Sequence, residues 1–150
     1  MQEAQKDYPN LIIDQKIIDP WRYDDARNYS LTLVPDDVTI YFMMDLDEQI
    51  KENDWPEIIK SSWDPLFSRM SYIYNRRIDP DTGAILQKFI EYRIHNKTWH
   101  YQGVVHEQLH DFTGKREFFA DECRQIPIEV WHYPTNPNRE IYIELCERGV

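Results

Sequence analysis

The chain has 150 residues, 41% of them hydrophobic, with 17 basic against 27 acidic side chains and a formal charge of -10. That length fits one domain, 1–150, with enough apolar residues for a packed core, and the acidic balance argues against nucleic acid as a partner, since a bare polyanion needs clustered Lys and Arg. Cys123 and Cys146 form no CxxC pair, the polar start MQEAQKDYPN lacks a signal-peptide apolar core, and no run approaches a membrane span, so a cytoplasmic chain without disulfide framework, thiolate zinc site or transmembrane helix is expected.

In chain order, NLIIDQKII (10–18) is rich in β-branched residues and stops at Asp19-Pro20, which predicts a short strand. WRYDDARNYSLTLV (21–34) spaces Tyr23, Ala26, Tyr29 and Leu33 for one helical face, puts Asp24 and Asp25 in the positive first turn and closes at Pro35. VTIYFMMD (38–45) is a nearly continuous apolar run, as in a strand covered on both faces. Strand, helix and strand in this order predict an α/β fold with parallel pairing.

DWPEIIKSSW (54–63) carries Pro56 early and predicts a second helix. SRMSYIYNRRI (68–78) and AILQKFIEYRIH (84–95) flank the turn cluster Asp79-Pro80-Asp81-Thr82-Gly83, a hairpin pattern in which Met70, Tyr72 and Tyr74 share one face. WHYQGVVHEQL (99–109) begins extended, IPIEVWHY (126–133) predicts a strand, and REIYIELCER (139–148) a last helix with Gly149 at its C-cap. No internal repeat, low-complexity segment or linker divides the chain.

The chemistry concentrates where the apolar run meets Asp45, Asp47 and Glu48 in YFMMDLDEQI. In an open α/β sheet, ligands bind beyond the carboxyl ends of the strands. A locally extended backbone would send Asp45 and Asp47 the same way, and two adjacent hard oxygen donors suit Mg²⁺ or Mn²⁺, which could in turn hold the phosphates of a nucleotide. The plain alternative is a solvated acidic turn.

The segment DPWRYDDARNYSLTLVPDDVTIYFMMDLDEQI resembles the middle of family 2 glycosyltransferases, nucleotide-sugar enzymes of the GT-A fold, in which an ARN-type helix start precedes a strand ending in a DxD-type metal motif. A second block, RIHNKTWHYQGVVHEQL, is similar to the family's later G-x-(hydrophobic)-H-E-x-L stretch; the two span residues 19–109, with a weaker match in NREIYIELCERGV. The resemblance implies a GT-A-like mixed sheet with flanking helices, and an enzyme that transfers a sugar from a nucleoside diphosphate donor to an acceptor hydroxyl with inversion. It implies that Asp47 ligates Mg²⁺ or Mn²⁺ and that Asp45 contacts the metal or the ribose. Arg27 would approach the nucleotide, Asn28 brace the helix start, Glu107 act as the base, and His106 serve as a third metal ligand or an acceptor contact. A structural alternative stands beside each: Arg27 pairs with Asp24 or Asp25, Glu107 is a surface acid, and His95, His100 and His132 are structural. Trp21, Trp99 and Trp131 are left outside the site as core or rim residues.

Relative to that family the match starts at the third element, and no glycine precedes Gly83, so a GT-A domain lacking its N-terminal nucleotide-binding strands is expected. The strand 38–45 would then present an open sheet edge suited to self-association. A fragment, a remnant with weak or no turnover, and a chain completed by a partner are the three explanations. Two other functions compete: a non-catalytic binding or assembly module on the same scaffold, and a zinc metallopeptidase through HEQLH (106–110), which matches HExxH if it lies on a helix. Gly114 and the extended WHYQGVV before it speak against that helix.

Overall fold

A computed structural model describes residues 10–66, 68–79, 81–111 and 123–133. The elements are α1 (Tyr23–Thr32), β1 (Tyr41–Phe42), β2 (Glu48–Ile50), α2 (Trp55–Ser62), β3 (Arg69–Ile78), β4 (Ile85–His95), β5 (Trp99–Gln102), β6 (Gln108–Asp111) and β7 (Arg124–His132). They fall into two compact units: the described parts of Met1–Tyr41 with His95–Ala120, and of Phe42–Ile94 with Asp121–Val150.

In the first unit α1 lies against the two-stranded antiparallel sheet of β5 and β6. The helix is shorter than 21–34 because Arg22 is extended and the last turn tightens, with Leu33 and Val34 donating to Ser30 and Leu31 three residues back. Pro35 then prevents continuation. Trp99, Tyr101 and Leu109 alternate onto the buried face of the small sheet, and the five residues between β5 and β6 form its connecting turn.

The second unit holds a mixed five-stranded sheet in the order β1-β4-β3-β7-β2, with β7 parallel to β3 and antiparallel to β2. Met70, Tyr72 and Tyr74 from β3 meet Ile126, Ile128 and Val130 from β7 in the core, and Phe42 packs edge-on against Trp55 and Tyr72. The β3–β7 register slips between Ser71 and Ile73, opposite the stretch of β7 that contains Pro127. Proline has no N–H to give a ladder, and a bulge is where a sheet tolerates it. The β3–β4 hairpin closes as its turn residues require: Asp79 Oδ1 accepts from the N–H groups of Asp81 and Thr82, both at 2.9 Å, and Gly83 sits at φ +71°.

The architecture is thus α/β with a mixed sheet. Several expected elements differ. Residues 11–18 form no strand, and Leu11, Ile12, Ile13 and Ile17 are exposed. The run 38–45 contributes only the short edge strand β1, and none of its residues is buried, so it is not the doubly covered strand expected. Parallel pairing occurs instead between β3 and β7. β2 and β6 were not foreseen, and the helix expected at 139–148 lies outside the described residues. Among the described residues no helix is long and apolar enough to cross a membrane.

Candidate functional site

The acidic stretch is a pinned turn. Met43 N–H donates to Arg93 O at 3.0 Å, holding the end of β1 to β4, after which Glu48 N–H donates to Asp45 O at 3.1 Å and closes the turn Asp45-Leu46-Asp47-Glu48. Tyr133 N–H donates to Asp47 O at 2.7 Å, tying the far side of the turn to the end of β7. The locally extended backbone expected for Asp45 and Asp47 is therefore replaced by a reverse turn, whose i to i+3 hydrogen bond outcompetes extension once Glu48 enters β2.

Glu48 is the residue that fixes this turn. Its carboxylate is fully buried: one oxygen accepts from Asp45 N–H at 2.9 Å, and the other from Arg93 Nη2 at 2.5 Å. Arg93 Nη1 reaches Asp45 Oδ2 at 3.2 Å, and the guanidinium lies over the Tyr74 ring, 5.2 Å from its centroid. One buried cation shared by Glu48 and Asp45 offsets much of the like charge in this turn.

Asp47 faces a different partner. Antiparallel pairing sets Glu48 opposite His132, which brings His132 Nε2 to 3.2 Å from Asp47 Oδ2. His132 Nδ1 stands 3.1 Å from the carbonyl oxygen of Arg76. A carbonyl only accepts, so Nδ1 carries the hydrogen and, in the neutral ring, Nε2 presents a lone pair to a carboxylate oxygen. Two acceptors that close need a positive charge between them, either a proton on Nε2 or a metal ion. A histidine whose second nitrogen is held by a backbone carbonyl is also the usual form of a metal ligand.

The first unit contains a second constellation. Residues 24, 27 and 28 share one face of α1, at i, i+3 and i+4. Asp24 accepts from Gly103 N–H at 3.0 Å and from Arg22 Nη2 at 2.7 Å; the hydrogen bond from Arg22, outweighing the effect of burial, holds its carboxyl down to about 2. The Asn28 amide bonds both backbone groups of Tyr101, donating to its carbonyl at 2.7 Å and accepting from its N–H at 2.8 Å, as a neighbouring strand would. Arg27 Nε donates to Glu107 Oε1, and both side chains are largely buried. Tyr23 N–H donates to Val104 O. The turn itself uses left-handed backbone at Gly103 (φ +125°) and His106 (φ +60°), and a Cβ on Gly103 would lie 3.2 Å from Glu107 Cα.

Arg27, Asn28 and Glu107 are thus brought together in the first unit, with His106 exposed on the turn that carries Glu107, while in the second unit Asp47 meets His132 and Asp45 meets Arg93. Arg27 pairs with Glu107, a contact not foreseen from the sequence, where its alternatives were the nucleotide or Asp24 and Asp25. The helix that HEQLH needs is not formed: Gln108–Asp111 is strand β6, and the ladder sets His110 opposite His100. Trp99 is core, and Trp131 carries Lys51 Nζ 3.4 Å above its ring. His95 is fully buried, its imidazole pushed down to about 4 by that burial.

Sequence reasoning placed Glu48 among the acids of this turn and read His132 as structural, without giving either its partner, and did not single out Arg93. Ile126, Ile128 and Val130 alternate to one face of β7, and continuing that period by two reaches His132 at the strand's end, a signal present in IPIEVWH. Nothing in the order of residues marks Arg93 as the partner of an acid 45 positions away.

Among the described residues no three His, Cys, Asp or Glu side chains converge as a ready-made metal cage. The pair Asp47–His132 supplies one carboxylate oxygen and one imidazole nitrogen, two donors that a divalent ion would have to supplement from other sources. Compared with models of known protein families and with curated proteins, the chain matches none.

Proposed function

We propose that this chain carries the metal-binding and proton-accepting residues of an inverting glycosyltransferase of the GT-A type, using a nucleoside diphosphate sugar as donor and a hydroxyl compound as acceptor. The proposal rests first on the resemblance of residues 19–50 and 93–109 to family 2 glycosyltransferases. The single observation that carries it further is the facing of Asp47 Oδ2 and His132 Nε2 at 3.2 Å, two atoms that either a proton on the imidazole or a bound metal ion would bridge.

Asp47 and His132 would hold Mg²⁺ or Mn²⁺, with Asp45 adjacent on the same turn and oriented by Arg93. Such an ion, when bound, neutralises the charge that develops on the departing diphosphate. The buried Glu48–Arg93 pair keeps the turn in one shape, so that the metal donors are positioned before the ligand arrives. In the first unit Glu107 is assigned the proton of the acceptor hydroxyl. Arg27 keeps that carboxylate oriented, and Asp24 and Asn28 fix the turn that carries it.

Calorimetric titration of UDP and GDP, with and without Mn²⁺, tests the function. Binding that requires Mn²⁺ and disappears in Asp47→Ala is expected. Nucleotide binding indifferent to both metal and Asp47, or none at all, would remove the basis for the assignment.

A further inference from the structure

We infer that His100 and His110 together hold an imidazole-binding divalent ion, Zn²⁺, Ni²⁺ or Cu²⁺, which clips β5 to β6; the site lies within the first unit and does not depend on the transferase reading. The ladder makes the two histidines direct partners, so both project from one face of the small sheet, where opposed Cβ atoms lie about 4.5–5.5 Å apart. Trp99, Tyr101 and Leu109 occupy the other, buried face. The two imidazoles stand with ring centroids 6.4 Å apart and their planes at 43°. Zinc–nitrogen bonds of about 2.0–2.1 Å put two imidazoles that share one ion on the order of 5–6 Å apart, centre to centre, so small side-chain rotations bring both rings onto an ion between them.

The state of the ring nitrogens supports this. His110 Nδ1 is buried and meets no hydrogen-bond partner among the described residues. A buried polar atom left so calls for a water or an ion to complete it. His100 Nε2 lies 2.7 Å from Gln102 Nε2. An amide nitrogen only donates, so His100 Nε2 accepts and carries the lone pair that coordination needs. Gln102 is exposed, and its amide can give up that position to an ion and turn to solvent without a buried group being left unpaired.

The donor set selects the metal. The four paired residues of this face, His100, Gln102, Gln108 and His110, include no carboxylate, and two neutral imidazoles suit Zn²⁺, Ni²⁺ or Cu²⁺ better than the oxygen-seeking Mg²⁺ or Mn²⁺. The HExxH spacing of residues 106–110 is thereby reassigned: His106 is exposed on the turn at φ +60°, and His110 has its partner across the ladder at His100 instead of one helical turn away. Because the strands so joined flank the turn 103–107, the ion would hold closed the hairpin that presents Glu107.

The test melts the full chain with Zn²⁺ or Mg²⁺ and titrates Zn²⁺ by calorimetry. Zn²⁺ is expected to raise the melting midpoint, reversibly with EDTA, because a ligand held only by the folded state stabilises it, whereas Mg²⁺ should not. The Zn²⁺ dissociation constant should rise about tenfold or more in His100→Gln and in His110→Gln, since even residues that merely support a metal ligand cost that much, and stay within about threefold in His106→Gln. In the unaltered chain the imidazole nitrogen signals of His100 and His110 should shift in NMR spectra as Zn²⁺ is added, a readout that does not depend on any variant folding. Zn²⁺ binding unchanged in both His100→Gln and His110→Gln, binding lost in His106→Gln alone, or His100 and His110 signals that do not move would each overturn the inference.

Discussion

Replacing Arg93 by methionine probes the device that holds the acidic turn. The Glu48 side chain is 0% exposed and Arg93 11%, with 2.5 Å between Nη2 and Oε1, so the substitution strands a buried carboxylate. Breaking one side of a buried pair costs about 3–5 kcal/mol. The second contact, to Asp45 at 3.2 Å, adds less than about 1 kcal/mol because that carboxylate is 48% exposed. A total of about 4 kcal/mol is a large share of the roughly 5–15 kcal/mol that keeps a domain folded. Urea unfolding followed by circular dichroism should therefore show a much lower midpoint for Arg93→Met. Adding Glu48→Met should return most of the loss, since an apolar pair of similar volume dispenses with both desolvated charges. A cost below about 1 kcal/mol for Arg93→Met, or a double variant as unstable as the sum of its parts, would refute this view of the turn.

Four further outcomes follow from the geometry. His95 titrates at about 4 when folded against 6.5 ordinarily, so between those values the unfolded chain binds the extra proton; stability should fall as pH drops from 6.5 to 4, by up to about 3 kcal/mol, and His95→Leu should flatten that slope in pH-dependent urea melts. Asp24, held at about 2, should add a second loss as the pH falls from 3.8 toward 2, which Asp24→Asn removes. Asn28→Ala deletes both hydrogen bonds to the Tyr101 backbone and should cost about 2–3 kcal/mol by the same urea assay, whereas a cost under about 0.5 kcal/mol would mean that water replaces the amide freely. Gly83→Ala forces a Cβ into φ +71° with open space around it, so thermal melts should report only the backbone penalty of about 1 kcal/mol.

The elements with a local cause were legible in the sequence. The hairpin 68–95 follows from alternation in MSYIYN and from the Asp79–Gly83 turn, and α1 from its acids and flanking prolines. What failed depended on partners distant in the chain. VTIYFMMD has the composition of a core strand, yet only Tyr41 and Phe42 find a ladder, because β3 and β7 take the sheet's centre. NLIIDQKII has strand-forming residues without a ladder among the described strands. At the candidate site, the DLDE and GVVHE stretches were visible as motifs, whereas Asn28, expected to brace the start of α1, lies in its middle and bonds the backbone of Tyr101 in β5. The pairings Arg27–Glu107, Arg93–Glu48 and Asp47–His132 span 80, 45 and 85 positions, and no local pattern records them.

The central claim is that Asp47 and His132 share a divalent ion. Pulsed electron paramagnetic resonance of Mn²⁺ added to the chain with UDP reads it directly, because a coordinated imidazole nitrogen modulates the manganese signal. Nitrogen modulation that vanishes in His132→Gln, together with loss of bound Mn²⁺ in Asp47→Ala, is the expected result; a protein-bound manganese signal unaffected by both substitutions would contradict it.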